Sequence, residues 1–465
     1  MRVDWAAFGV DLHLELAPAA GRRFAIEHAL REAIRSGRLP PATRVPSSRA
    51  LAAELGVARG TVSAAYDQLV AEGFLSARTG SGTVVAGLPP PRTGATPVRA
   101  EPPRPRYDLR PGDPDVTSFP TAAWLRAIRR AVARAPASAY GYGDPRGRVE
   151  LREALAGYLG RARGVLAAAD QIVITSGYVH ALALLTQVTG GAVAMEDPGL
   201  AFHRDVVRHH GARVLALPVD RRGARTDLLA TTAYAAARMA VLTPAHQFPL
   251  GVTLHPDRRR SAVTWARERA GLVVEDDYDG EFRYDRQPVG ALQGAAPEHV
   301  AYVGTAAKTL APALRLAWLV LPDRLIEPVM RARRHGDVHG EVLGQLALAE
   351  LIASAGYDRH VRSARLRYRR RRDLLVRRLA PLADRYPVEG VAAGLHVTVG
   401  LPESGPGEPA LVDRAAAAGV AVGDLASHWH GPGPHPSGLI VGYSTPADGA
   451  YEPAVDRRVE ALRTA

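Results

Sequence analysis

YVGTAAKTLAPALRLAWLVLP, residues 302–322, contains an apolar run of strand length, a short break and a second apolar run. Lys308 sits in the break, seven residues ahead of Arg315. The chain has 465 residues, 59 of them Lys or Arg, and Lys308 is the single lysine among them. Arginine serves every other cationic task here. Amine chemistry is the task a guanidinium cannot do, so Lys308 is a candidate for imine formation with an aldehyde. Arg315 can pair bidentately with a phosphate, and Thr305 offers the same phosphate a hydroxyl.

Working outward, further apolar runs of strand length occur at 171–177 (QIVITSG), 192–197 (AVAMED), 238–244 (RMAVLTP), 271–277 (GLVVEDD) and 300–306 (VAYVGTA), separated by helical patterns. This alternation predicts an α/β domain with a parallel sheet between helices. Ligands of such sheets bind at the carboxyl ends of strands. There, VVEDDYDGEF (273–282) places Asp276 and Asp277 beside Tyr278, and ITSGYVHAL (174–182) places Ser176, Gly177 and Tyr178 before a helix. A carboxylate can keep a pyridine nitrogen protonated, a tyrosine can donate to a phenolic oxygen, and a helix N-terminus can hold a phosphate.

With 47% hydrophobic and 23% charged residues, the chain is expected to fold into two or more domains. No cysteine is present, which excludes disulfides, thiolate metal ligands and a thiol nucleophile. The net charge of +12 permits an anionic partner but does not select one. The N-terminus lacks the pattern of a signal peptide and no apolar stretch of about 18 residues occurs, so a soluble, cytoplasmic protein without membrane contact is expected. Residues 87–106 (GLPPPRTGATPVRAEPPRPR) hold seven prolines and predict an extended linker. The expected division is therefore 1–86, the linker 87–106, and 107–465 with a small subdomain over roughly 325–465.

In the first part, Ile26, Leu30 and Ile34 share one helix face that ends near Gly37. Ser47 or Ser48 can cap a second helix carrying Leu51 and Leu55, and Gly56 supplies a turn into a third with Val62, Tyr66 and Leu69. The run 74–86 then reads as two short strands around Gly80. This is a helix-turn-helix with a wing. Arg59 and Thr61 lie at the start of the third helix, the end that meets base edges in a major groove; Arg49 can clamp phosphate, and Arg78 and Gly80 can touch the neighbouring backbone.

VPSSRALAAELGVARGTVSAAYDQLVAEGFLSARTGSGTVVA (45–86) resembles the winged helix-turn-helix of GntR-type bacterial regulators almost end to end. Residues from about 107 to 462 resemble fold-type I aminotransferases: phosphate loop, then Asp and Tyr, then Lys, then Arg follow in that order. PGDPDVTSFP (111–120), EDPG (196–199) and TPAHQFPLG (243–251) also match in place. The whole chain looks like a MocR/GabR-type transcriptional regulator. The resemblance implies an N-terminal winged helix-turn-helix, a large aminotransferase-like domain with a small C-terminal α+β domain, and pyridoxal 5'-phosphate as cofactor. By the same resemblance Lys308 would bind the cofactor covalently, Asp276 (with Asp277 as second choice) would meet the pyridine nitrogen, and Tyr278 the ring oxygen. Ser176, Gly177, Tyr178, Thr305 and Arg315 would hold the phosphate, and Tyr142 of YGDPRG would reach it from the partner subunit of a homodimer. Arg49, Arg59, Thr61 and the wing around Gly80 would contact operator DNA.

The chain departs from that pattern in places. Leu200 stands where relatives stack an aromatic residue on the ring, with Phe202 as a possible substitute; Ala307 replaces a serine, and Tyr178-Val179 replaces a small residue and Gln. GLIVGYS (438–444) has Ile440 or a neighbour where an arginine commonly grips the substrate carboxylate. The arginine-rich run 357–379 matches a long helix of the small domain and is expected to be solvated. These readings favour a regulator that senses a small amine, an amino acid or pyridoxal phosphate itself. The alternative is a working aminotransferase with an accessory DNA-binding head.

Overall fold

The computed structural model describes residues 21–78, 82–87, 105–285 and 289–463. The chain divides into two compact units between Pro102 and Pro103. The expected linker lies for the most part outside the described residues, and so does Gly80.

The first unit contains helices α1 (Arg22–Arg35), α2 (Ser48–Leu55) and α3 (Arg59–Ala71), then strands β1 (Leu75–Arg78) and β2 (Gly82–Val85). Helix α1 buries Ile26, Leu30 and Ile34 against Leu51 of α2 and Val62, Tyr66 and Leu69 of α3. Of the two candidate caps, Ser47 is the one used: its side chain accepts from the backbone N–H of Ala50 at 3.1 Å. Helix α2 stops because Gly56 takes the left-handed conformation, φ 61°. The Tyr66 hydroxyl, buried, donates to the Pro46 carbonyl at 2.9 Å and fixes α3 against the entry to α2. Strands β1 and β2 pair antiparallel, with Leu75 opposite Val85 and Arg78 opposite Gly82.

The second unit is built on an eight-stranded sheet. Its order is Ile172–Thr175, Ala317–Val320, Val300–Thr305, Leu272–Asp277, Ala237–Leu242, Ala192–Asp197, Arg213–Asp220 and Gly223–Ala224. The sheet is mixed rather than wholly parallel as expected. Ala317–Val320 runs antiparallel to both neighbours, and Gly223–Ala224 is antiparallel to Arg213–Asp220. The reason lies in the opening stretch: between Thr305 and Ala317 there is only a single 3-10 turn, Pro312–Leu314, so no crossover helix exists to return the chain in parallel.

A smaller antiparallel sheet of Val388–Glu389, His396–Gly400, Gly438–Gly442 and Gly423–Asp424 follows. It packs against helices Gly356–Leu379, Glu408–Ala417 and Asp448–Arg463. The start of the unit joins this lobe: Tyr107–Asp108 pairs with Val420–Ala421, and Leu109 is buried in the lobe's core.

The arginine-rich helix Gly356–Leu379 is amphipathic. It buries Val361, Ala364, Tyr368, Leu375 and Leu379, and several of its arginines tie structure together. Arg371 pairs with Asp115 at 3.0 Å and Asp448 at 2.5 Å, while Arg378 reaches Glu452 and Asp456, both at 2.7 Å. Among the described residues no helix is long and apolar enough to cross a membrane.

Candidate functional site

In the first unit, Arg49 and Arg59 are exposed and Thr61 is half-buried. Arg59 Nε lies 3.4 Å from the Ser48 hydroxyl, so the first turns of α2 and α3 stand side by side and present both arginines from neighbouring helix starts. Arg78 ends strand β1, opposite Gly82. The backbone N–H groups of a helix start and a pair of exposed guanidinium groups suit a phosphate backbone and base edges.

In the second unit, a cavity of about 280 Å³ opens at the carboxyl ends of the sheet strands. It is lined by Lys308, Asp276, Tyr278, Gly177, Tyr178, Thr305 and Arg315, so seven of the nine residues expected at a cofactor border one space. Ser176 contributes through its backbone carbonyl, which accepts from Arg315. Tyr142 is not in this cavity: it is 92% exposed and meets His339 edge-to-face at 6.0 Å.

Strand parity separates the two candidate carboxylates. In Leu272–Asp277 successive side chains point to opposite faces. Asp276 faces the cavity. Asp277 faces the other way, into a buried ion pair with Arg163 at 2.6 Å and a hydrogen bond from the Tyr302 hydroxyl at 2.7 Å. Asp276 has no cation within salt-bridge distance among the described residues, and burial pushes its carboxyl well above the usual range. It therefore waits for a positive partner. Removing the cation from the other pair is expected to be costly: Arg163→Ala should lower unfolding stability by about 3–5 kcal/mol, measured by urea denaturation, since Asp277 would be left buried and unpaired.

Lys308 is half-buried, and the burial of its amine lowers the ammonium below the usual lysine range. A lysine so placed keeps a larger neutral fraction, which is the nucleophilic form. Its Nζ donates to the Gly112 carbonyl. Also on the cavity wall, Gly177 adopts φ 105°, and a Cβ there would come within 2.7 Å of the Arg315 guanidinium. Arg315 itself is left-handed, φ 51°, and donates to the Ser176 carbonyl. With the start of helix Tyr178–Thr189 and the Thr305 hydroxyl, this makes a cradle for a dianion. Tyr278 donates to the His246 carbonyl at 3.1 Å, and His246 Nδ1 lies 2.8 Å from Asp279. An uncompensated carboxylate, an amine and an anion cradle around one cavity fit a phosphorylated pyridine aldehyde.

Several lining residues carried no clear signal in the sequence. Phe202 is 62% exposed and does not replace the missing aromatic; His203, one residue on, turns inward and stacks with Tyr178 at 4.5 Å between ring centroids. Burial and the nearby Lys308 charge push the His203 imidazole down to about 4, so it is neutral at pH 7. Glu196 is held by the Thr243 N–H at 3.0 Å and hydroxyl at 2.5 Å, and burial pushes its carboxyl up to about 7. Buried Arg204 also lines the cavity, donating to the carbonyls of Gly199 at 2.6 Å and His428 at 3.1 Å, while its Nε has no hydrogen-bond partner. Helical spacing from EDPG would have placed His203 and Arg204 on the cavity side had the helix start been known. Ile440 sits in a fully buried strand, opposite Thr398 and Gly423.

Comparison with known proteins accounts for both units. Residues 23–85 match the family of bacterial regulatory proteins, gntR family, and residues 107–427 match aminotransferase class I and II. The probable rhizopine catabolism regulatory protein MocR of Rhizobium meliloti is 34% identical over 371 residues, covering 75% of each chain. The pyridoxine biosynthesis transcriptional regulator PdxR of Corynebacterium glutamicum is 31% identical over 427 residues, covering 90% of each.

The chain belongs to the MocR-type transcriptional regulators.

This MocR-type chain therefore combines a DNA-binding head with an aminotransferase-like body. Among solved structures, the kynurenine aminotransferase of Pyrococcus horikoshii superposes with a TM-score of 0.70 at 25% identity, over 77% of this chain and 90% of that one.

Proposed function

We propose that this regulator holds pyridoxal 5'-phosphate on Lys308 and uses the site to sense a small amine, an amino acid or the cofactor itself, with operator DNA bound by the head. The observation that carries the reading is the solitary lysine sharing one cavity with the unpaired Asp276 and the Gly177–Arg315 cradle. When bound, the cofactor supplies an aldehyde carbon open to amines and an electron-withdrawing ring. The chain's own residues do the rest. Asp276 holds a proton on the ring nitrogen by its negative charge. Tyr278 orients the ring oxygen, and Gly177, Thr305, Arg315 and the backbone of Ser176 and Tyr178 anchor the phosphate. Tyr142, exposed in its own chain, reaches the site of the second subunit in a homodimer. Arg204 stands in for the arginine absent at Ile440 and receives an effector carboxylate.

In the head, Arg59 and Thr61 read base edges while Arg49 and Arg78 hold phosphates. Binding of an effector shifts the body between two states, and the heads engage paired half-sites in one of them.

The test couples DNA selection to spectroscopy. Selection from a random duplex pool should yield a defined sequence that the protein shifts stoichiometrically in a gel; recovery of unrelated sequences, with and without cofactor, overturns the regulatory reading. An effector amine should move the visible band of the cofactor-loaded protein to a stable new position. Decay of that band, reversed by an oxo acid, would instead mark a working aminotransferase.

A further inference from the structure

Tyr178 departs from the small residue expected at its position, and its side chain does not turn to solvent. The ring stacks on His203 at 4.5 Å with an interplanar angle of 33°. The hydroxyl is buried and has no hydrogen bond of ordinary geometry with any group; the carboxylate of Asp276 is what it faces. A buried hydroxyl needs a partner, and the Asp276 carboxylate is the acceptor it is set to meet.

We infer that Tyr178 is a positioning residue: its hydroxyl, fixed by the stack on His203, closes on Asp276 as the carboxylate ionises against the cofactor's ring nitrogen. This rests on the cavity being the pyridoxal phosphate site. The backbone of Tyr178 serves the phosphate while its side chain serves the opposite end of the ring.

The chemistry around the pair has a consistent sign. Asp276 is faced by Tyr178 at the start of its helix and by Glu196 of the strand Ala192–Asp197. The charges of Asp279, of Lys308 and of Asp277 on the opposite face of the strand also reach it, and Tyr278 is its chain neighbour. The carboxylates and burial all disfavour a negative Asp276. Tyr178 is the neutral donor that favours it, because burial holds the phenol protonated far above neutral pH. Without that donor, Asp276 takes up a proton at higher pH and loses its grip on the protonated ring.

The experiment is a pH titration of cofactor affinity and visible absorbance, run on full-length wild type, Tyr178→Phe, Asp276→Asn and the double variant, with pyridoxal 5'-phosphate as the probe. Tyr178→Phe should bind about tenfold more weakly near neutral pH, the scale of one hydrogen bond to a charged group, and should lose affinity on acidification at a higher pH than wild type. In the Asp276→Asn background the same change should add nothing. Wild-type affinity and pH profile in Tyr178→Phe, or an equal effect in the Asp276→Asn background, overturns the inference. If Tyr178→Phe melts early by circular dichroism, His203→Ala provides the reading, since it removes the stack and keeps the hydroxyl. A smaller shift in the same direction supports the role, and an unshifted profile overturns it. A wild-type protein with no Lys308-dependent band overturns the cofactor site itself; a normal wild-type band with an unchanged Tyr178→Phe profile overturns only the role of Tyr178.

Discussion

Lys308→Arg is expected to lose completely the visible band that pyridoxal phosphate gives when joined to a lysine. The substitution keeps the positive charge and the length of the side chain, so the cavity and the fold should persist. What disappears is the amine. A guanidinium stays protonated at any pH a protein tolerates, and it cannot attack an aldehyde carbon. In most proteins this experiment is blurred by other lysines. Here Lys308 is the only one, which leaves the terminal α-amine as the sole competing group. The measurement is the absorbance of the protein after excess cofactor is removed by desalting. Retention of the band in Lys308→Arg would place the attachment elsewhere and remove the basis of the sensing mechanism.

Arg59→Ala should weaken binding to the selected operator about 10- to 100-fold, the discrimination expected of one good base contact, and should flatten the preference for the base it reads. Arg49→Ala should behave differently. A phosphate contact carries no sequence information, so its loss should weaken all duplexes alike and reduce the salt dependence of binding by about one ion. Both are read by fluorescence anisotropy across a salt series. Because the two arginines lie in a unit with its own hydrophobic core, the cofactor band should be untouched in either variant. Loss of the band together with DNA binding would mean that the two activities do not separate as drawn.

The parts of this molecule that were legible in the sequence are those whose cause is local. Ser47 and Gly56 bound α2 through their own side-chain or backbone chemistry, and the run 271–277 is apolar enough to be a buried strand wherever it lies. The strand Arg213–Asp220 was not singled out because it lies near the sheet edge, where the antiparallel pair Gly223–Ala224 closes the sheet. Only Leu217 and Val219 are buried, and its apolar run, Val214–Leu217, is short and ends at Pro218. The direction of Ala317–Val320 is set by what the preceding loop omits, and a missing helix is harder to read than a present one.

At the site, the order of Ser176, Asp276, Tyr278, Lys308 and Arg315 was legible through the resemblance to fold-type I aminotransferases. The preference for Asp276 over Asp277 came from the same resemblance; its physical cause is not local, since it depends on Arg163, 114 residues upstream of Asp277, claiming one face of the strand. His203 and Arg204 were hidden for a similar reason. Their inward direction follows from where the helix Ala201–His209 starts, and neighbouring Phe202, the more obvious aromatic, turns out to solvent.

The contact between Lys308 and Gly112 has its own consequence. Gly112 belongs to the stretch that begins at the end of the proline-rich segment and is woven into the small lobe, where Ser444 donates to the Asp113 carbonyl at 2.7 Å and Arg371 pairs with Asp115. Joined to an aldehyde carbon, that nitrogen keeps at most one of the ammonium's three N–H donors. Reaction at Lys308 therefore loosens one fastening of residues 107–115, while Leu109, Ser444 and Arg371 keep that stretch tied to the small lobe. The reactive amine is one stitch among several.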